Sequence, residues 1–199
     1  MKVVDYYMTP VSPFTYLGHD RLRAICTRHG AEIRLKLMDL GKVFPASGGL
    51  ALKDRPPQRR AYRMLELKRW RDYLEMPLVL EPKHFPVPPH AAASVIIAVR
   101  QAHGTAAGLD VAGDCLRAVW AEEKDISDEA TLAAILAKRG FDADALLARA
   151  KNPEVAQRYA AETQEAIERG VFGSPSFVHE GELYWGQDRL DFLDRALAR

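Results

Sequence analysis

Val11-Ser12-Pro13-Phe14-Thr15-Tyr16-Leu17 follows a short β-forming run, Lys2-Val3-Val4-Asp5-Tyr6-Tyr7, and opens an amphipathic helical pattern. A strand that stops at a polar residue, with proline next and helix after it, has a defined geometry. Ser12 takes the N-cap and Pro13 the first helical position, where a missing N–H costs nothing. The free N–H groups and the dipole at that end favour an anion or a thiolate. Taken alone, these residues are also what a plain helix cap looks like.

The other end of the chain adds to that reading. Phe172-Gly173-Ser174-Pro175-Ser176-Phe177-Val178 is followed by Glu182-Leu183-Tyr184-Trp185-Gly186-Gln187-Asp188-Arg189-Leu190. The order resembles the second half of a thioredoxin fold, in which a strand beginning at a cis-proline leads into a hairpin and a helix. Ser12-Pro13-Phe14-Thr15 stands where such folds carry Cys-Pro-x-Cys. With serine in the first position, and Gly173-Ser174-Pro175 and Trp185-Gly186-Gln187-Asp188-Arg189 downstream, the chain resembles the 2-hydroxychromene-2-carboxylate isomerase family and its kappa-class glutathione transferase relatives. The resemblance covers nearly the whole chain.

Composition bounds the rest. The 199 residues are 48% hydrophobic and 28% charged, enough for a proper core in a soluble protein. A formal net charge of +1 argues against nucleic acid or acidic membranes as main partners. Arg55, Arg59, Arg60, Arg63, Lys68, Arg69 and Arg71 cluster along one predicted helix and read as a solvated face. No apolar run reaches about 18 residues and no signal pattern opens the chain, so a cytoplasmic location is expected. Cys26 and Cys115 sit in apolar helical patterns, outside any CxxC, and read as buried thiols. The six histidines form no ligand pattern, and no metal is expected.

In chain order, residues 2–8 read as a buried strand, Ser12 to His29-Gly30 as a helix closed by glycine, and Glu32–Met38 as an alternating strand. Lys42–Pro57, with Pro45, Gly48, Gly49, Pro56 and Pro57, reads as a loop or lid. Helices then dominate: one over Pro57–Tyr73, an extended Pro-rich connection over Met76–Pro89, a central apolar helix over His90–His103, and another carrying Leu109 to Trp120. Shorter helices follow at Asp128–Lys138 and Asp142–Ala150, and Asn152-Pro153-Glu154 starts a longer one. Two short strands around His179-Glu180-Gly181-Glu182 and a helix on Leu190, Leu193 and Leu197 close the chain. The expected architecture is α/β: a thioredoxin-like fold (residues 1–43 and 166–199) interrupted by a large all-helical insertion (44–165).

Serine at position 12 rules out disulfide exchange by the protein itself, because exchange needs an attacking thiolate. No GxSxG pattern or assignable His/Asp pair supports a serine hydrolase. The family resemblance implies another role, in which bound glutathione brings the sulfur and Ser12, the catalytic residue, holds it ionised. It further implies that Ser174 and Pro175 pair with the tripeptide backbone as an added strand would. Trp185 and Gly186 are further glutathione-binding residues, and Gln187 and Asp188 hold its γ-glutamyl end, with the Gln187 amide on the carboxylate and the Asp188 carboxylate on the ammonium. Relatives carry Asp three residues before the serine, where Thr9 stands here, and the segment Leu50–Pro57 matches the family only loosely. Lys53 is the candidate cation for an aromatic acid substrate, and His84 a further candidate for the site. The resemblance points to a glutathione-dependent cis-trans isomerase and is compatible with a homodimer. A kappa-type transferase or peroxidase, and a non-catalytic thioredoxin-like binding module whose serine only caps, stand as alternatives.

Overall fold

The computed structural model describes residues 1–199. Its sheet has four strands, β1 (Val3–Met8), β2 (Glu32–Leu37), β3 (Ser176–His179) and β4 (Glu182–Trp185), in the order β2-β1-β3-β4. β1 runs parallel to β2, with Tyr6 beside Leu35, and antiparallel to β3, with Tyr6 beside Phe177. β3 and β4 form the expected hairpin. Its two turn residues, Glu180 (φ 50°) and Gly181 (φ 83°), both take positive φ. That is the backbone twist that lets two-residue loops join antiparallel strands.

Between β1 and β2 lies α1 (Pro13–His29), capped by Ser12 and closed by Gly30 at φ 61°. The rest of the chain up to β3 is helical: α2 (Leu40–Ser47), α3 (Pro57–Leu74), α4 (His90–Trp120), α5 (Glu129–Lys138), α6 (Ala143–Ala150) and α7 (Pro153–Glu168). A last helix, α8 (Leu190–Leu197), follows a 3-10 turn over Gln187–Arg189. This is the thioredoxin-like fold with a helical insertion. One cluster of 41 buried residues runs through both parts, joining Tyr6 and Phe177 of the sheet to Ile96 and Trp120 of α4 and Leu136 of α5. A smaller cluster, with Tyr7, Met38, Val43 and Ala166, covers the other face of the sheet. The alternation of Tyr6 and Tyr7 between two apolar faces explains why β1 reads as a continuous apolar run.

One segment differs from the sequence expectation. Lys42–Pro57 is not simply a loop, since α2 covers its first part. Asp39 starts that helix by accepting the Gly41 N–H at 2.8 Å, and Val43 is fully buried against the smaller cluster. Pro45 suggested a breaker, but it lies in the second turn of a helix only two turns long, where tertiary packing of Val43 outweighs its cost. The two helices expected over His90–Trp120 are both present and meet at Gly104, whose φ of 87° and ψ of 172° no other residue adopts without strain.

α8 is eight residues long, too short to be stable alone. Leu190, Leu193 and Leu197 are all fully buried. At about 1.5–3 kcal/mol for each buried side chain, they hold α8, and the Gln187–Arg189 turn before it, in place.

Candidate active site

The N-terminus of α1 and the start of β3 meet in a compact set of hydroxyls. Ser12 is nearly buried, at 7% exposed. Its Oγ accepts the Thr15 N–H at 3.2 Å and donates to the Ser174 carbonyl at 3.1 Å. The Ser174 Oγ in turn accepts the Thr9 N–H at 3.1 Å and shares a 2.8 Å hydrogen bond with Thr15 Oγ1. The Ser174–Pro175 peptide is cis. Thr15, where a second cysteine would stand in a Cys-Pro-x-Cys motif, is fully buried and braces Ser174. Thr9 is almost as buried. The Ser174 N–H donates to no other backbone group, which leaves this peptide free to pair with an extended ligand.

Beside this junction opens a cleft of about 530 Å³ between α3 and the β4–α8 connection. Phe14, Trp70 and Trp185 supply aromatic surface, and Ser174, Gly186, Gln187 and Asp188 line one side. Phe14 is half-buried here and packs against the main core. Trp185 is 49% exposed and packs on Phe172 with ring centroids 4.7 Å apart. Gly186 must be glycine: its φ is 102°, and a Cβ would lie 2.4 Å from Asp188 Oδ1. Its N–H reaches the Pro175 carbonyl at 2.9 Å, tying the turn to the cis peptide. Gln187 is buried, its amide oxygen held by Arg21 at 2.5 Å, while the Asp188 carboxylate is 42% exposed beside Arg189 at 3.0 Å.

Of the residues singled out from sequence, Ser174, Trp185, Gly186, Gln187 and Asp188 line the cleft, with Pro175 directly behind Ser174. Ser12 lies under Ser174 rather than on the cleft surface. Lys53 does not face the cleft; it is exposed in the 3-10 turn Leu52–Asp54. His84 lies 3.9 Å from Asp125, outside the lining. The cations that do line the cleft are Arg55, Arg59, Arg63 and Arg189. Three of these belong to the run read as a solvated face, and for them that reading is corrected; Arg60, Lys68 and Arg69 do face solvent. Arg59, Arg63, Glu66 and Trp70 recur at helical spacing, and that stripe, with a tryptophan at its end, was the overlooked signal.

This arrangement of strand, cap and cis-proline sits in a chain whose residues 3–198 match the model of the DSBA-like thioredoxin domain. It is 30% identical to 2-hydroxychromene-2-carboxylate isomerase from Pseudomonas putida, over 99% of this chain and 95% of the relative. The chain belongs to the 2-hydroxychromene-2-carboxylate isomerase family of DSBA-like thioredoxin domains. The enzyme of that name from Sphingobium xenophagum is 29% identical over 98% of each chain. A solved 2-hydroxychromene-2-carboxylate isomerase superposes with a TM-score of 0.84 at 30% identity, covering 99% of this chain and 95% of that one. The cytosolic disulfide reductase DsbM from Pseudomonas aeruginosa, solved with GSH, shares the fold at a TM-score of 0.69 and 19% identity, covering 99% of this chain and 100% of that one. No helix of the family member described here is long and apolar enough to cross a membrane.

Proposed function

We propose that this protein is a glutathione-dependent cis-trans isomerase acting on 2-hydroxychromene-2-carboxylate or a similar aromatic unsaturated acid. The observation that carries this reading is the contact between Ser12 Oγ and the Ser174 carbonyl at the cis-proline junction, where a hydroxyl replaces the redox thiol. The residues present fit a γ-glutamyl tripeptide. The Ser174 peptide offers an unpaired N–H, and Asp188 offers a partly exposed carboxylate for an ammonium. On the opposite wall, the arginines suit the carboxylate of the aromatic acid. When bound, glutathione supplies a thiolate that adds reversibly to a conjugated double bond, letting it turn as a single bond before the thiolate leaves.

The chain's own part is to bind and to place protons. A hydroxyl has one proton, and Ser12 gives it to Ser174 O. An anion at the helix N-terminus competes for that proton, and rotation of the Ser12 hydroxyl toward the anion leaves the Ser174 carbonyl to accept a ligand N–H. Phe14, Trp70 and Trp185 shape a slot for a planar ring.

The test is calorimetric titration with glutathione, followed by product analysis with 2-hydroxychromene-2-carboxylate. Glutathione-dependent interconversion with its ring-opened isomer, without consumption of glutathione, is expected. A stable glutathione conjugate would make it a transferase, and no glutathione binding would leave a thioredoxin-like binding module.

Asp188→Ala is expected to weaken glutathione about five- to tenfold. A charged hydrogen bond contributes roughly 1.5–3 kcal/mol when buried, and screening at a half-exposed carboxylate reduces it to about 1 kcal/mol. The loss should shrink in high salt, and an unchanged affinity at low salt would make Asp188 a turn residue only.

A further inference from the structure

Arg55, Arg59 and Arg63 stand on one wall of the cleft, and none of them forms an ion pair. Both acids that line the same cleft are already engaged, Glu66 with Arg69 at 2.7 Å and Asp188 with Arg189 at 3.0 Å. The wall therefore carries positive charge without a counter-charge of its own.

The three cations are not equivalent. Arg59 is exposed to solvent. Arg55 already donates its Nε to the Leu50 carbonyl at 3.0 Å and lies over the Phe44 ring. Arg63 is half-buried, its guanidinium 5.6 Å from the Phe85 ring centre and 5.9 Å from that of the fully buried Trp120, both rings lying behind the cleft lining. Its one polar contact inside the chain is a 3.7 Å approach to the Met64 sulfur. A guanidinium carries five N–H donors in a planar fork. Held on an aromatic shelf and offered only a thioether, that fork is set out for a planar anion. Burial, and then Arg55, bring the Arg63 pKa down to about 10, so the group stays charged at neutral pH.

We propose that Arg63 is the specificity-determining residue of the cleft, receiving the carboxylate of an aromatic acid in a two-point contact. The identity of that acid as the isomerase substrate rests on the function proposed above; the anion site itself rests on the unpaired guanidinium. Lys53 has no part in it.

The test uses the intact protein, glutathione, and two non-reacting probes, 2-hydroxybenzoate and 2-hydroxybenzamide, followed by calorimetry. Arg63→Met should weaken the carboxylate probe by about 10- to 100-fold while leaving the amide and glutathione within about twofold. Arg63→Lys keeps the charge but loses the fork, so it should fall between, and it serves if the methionine variant melts early. With the isomerase substrate, the loss should appear in KM more than in kcat. The assignment is overturned if wild-type protein does not bind the carboxylate probe at about 10 mM, weaker than any useful anchor. It is overturned equally if acid and amide lose affinity together, or if glutathione weakens in parallel. Arg63-dependent carboxylate binding with no isomerisation would uphold the anion site and refute the proposed reaction.

Discussion

Ser12→Ala is expected to slow turnover about ten- to a hundredfold while keeping most of the glutathione affinity, if thiol ionisation limits the rate. A free thiol titrates near ~8.5, so only a few per cent is thiolate at neutral pH. The N-terminus of α1 favours the anion by about 0.3–1 kcal/mol. A hydroxyl donor to charged sulfur adds roughly 1.5–3 kcal/mol. At ~1.36 kcal/mol per pKa unit, the two together lower the bound thiol by about one to three. A lowered thiol pKa means the thiolate persists above it and is lost as pH falls through it. In the alanine variant the acid limb of the activity profile should therefore move to higher pH. Ultraviolet thiolate absorbance against pH, with glutathione bound, measures this directly. Coincident curves for wild type and variant would reduce Ser12 to a cap.

Ser12→Ala carries a second consequence, from the contacts of the free protein. The Thr15 N–H loses its side-chain acceptor and the Ser174 carbonyl loses its donor. Losing an N-cap costs about 0.5–2 kcal/mol, and a chain of this size loses roughly 2–4 °C of Tm per kcal/mol. A modest drop in Tm should thus accompany the kinetic effect, and a melting curve separates the two.

Glu162→Ala is expected to destabilise the fold by about 3–5 kcal/mol, the cost of leaving a buried charge without its partner. Glu162, on α7, is 3% exposed. It pairs with Arg100 at 2.5 Å and accepts the Leu37 N–H at 2.9 Å. Arg100, on α4, also donates to the Leu35 carbonyl. Both backbone groups belong to β2, the outermost strand on its side of the sheet. An edge strand presents unpaired N–H and C=O groups that invite another chain; here one ion pair from two helices occupies two of them. Glu162→Gln retains an acceptor for Leu37 and should cost less than alanine. Thermal melts should show a Tm drop on the order of 10 °C for alanine. A loss below about 1 kcal/mol would mean the pair is no better than an exposed one.

Much of this architecture is written locally. Ser12-Pro13 states where α1 begins, Gly30 where it ends, and Glu180-Gly181 how the hairpin turns, because caps and positive-φ turns act over a few residues. Gly-Ser-Pro before an apolar strand marks the junction at Ser174 in the same way. Other features depend on what packs against them. α2 forms despite Pro45 because Val43 finds a buried place against β1 and α7, residues distant in sequence. Arg55, Arg59 and Arg63 looked like a water-facing row because helical spacing says which side chains share a face, not what that face meets. Lys53 and Arg55 are two residues apart, and only the turn of the chain at Arg55-Pro56 puts one on the cleft and the other in water. The sequence by itself determined the succession of elements along the chain, the capped serine in place of a thiol, and the family. Tertiary structure alone decided that Ser12 is hydrogen-bonded to Ser174, 162 residues away, and which cations reach the cleft. Such pairings are made by packing across the whole chain, and no local pattern encodes them.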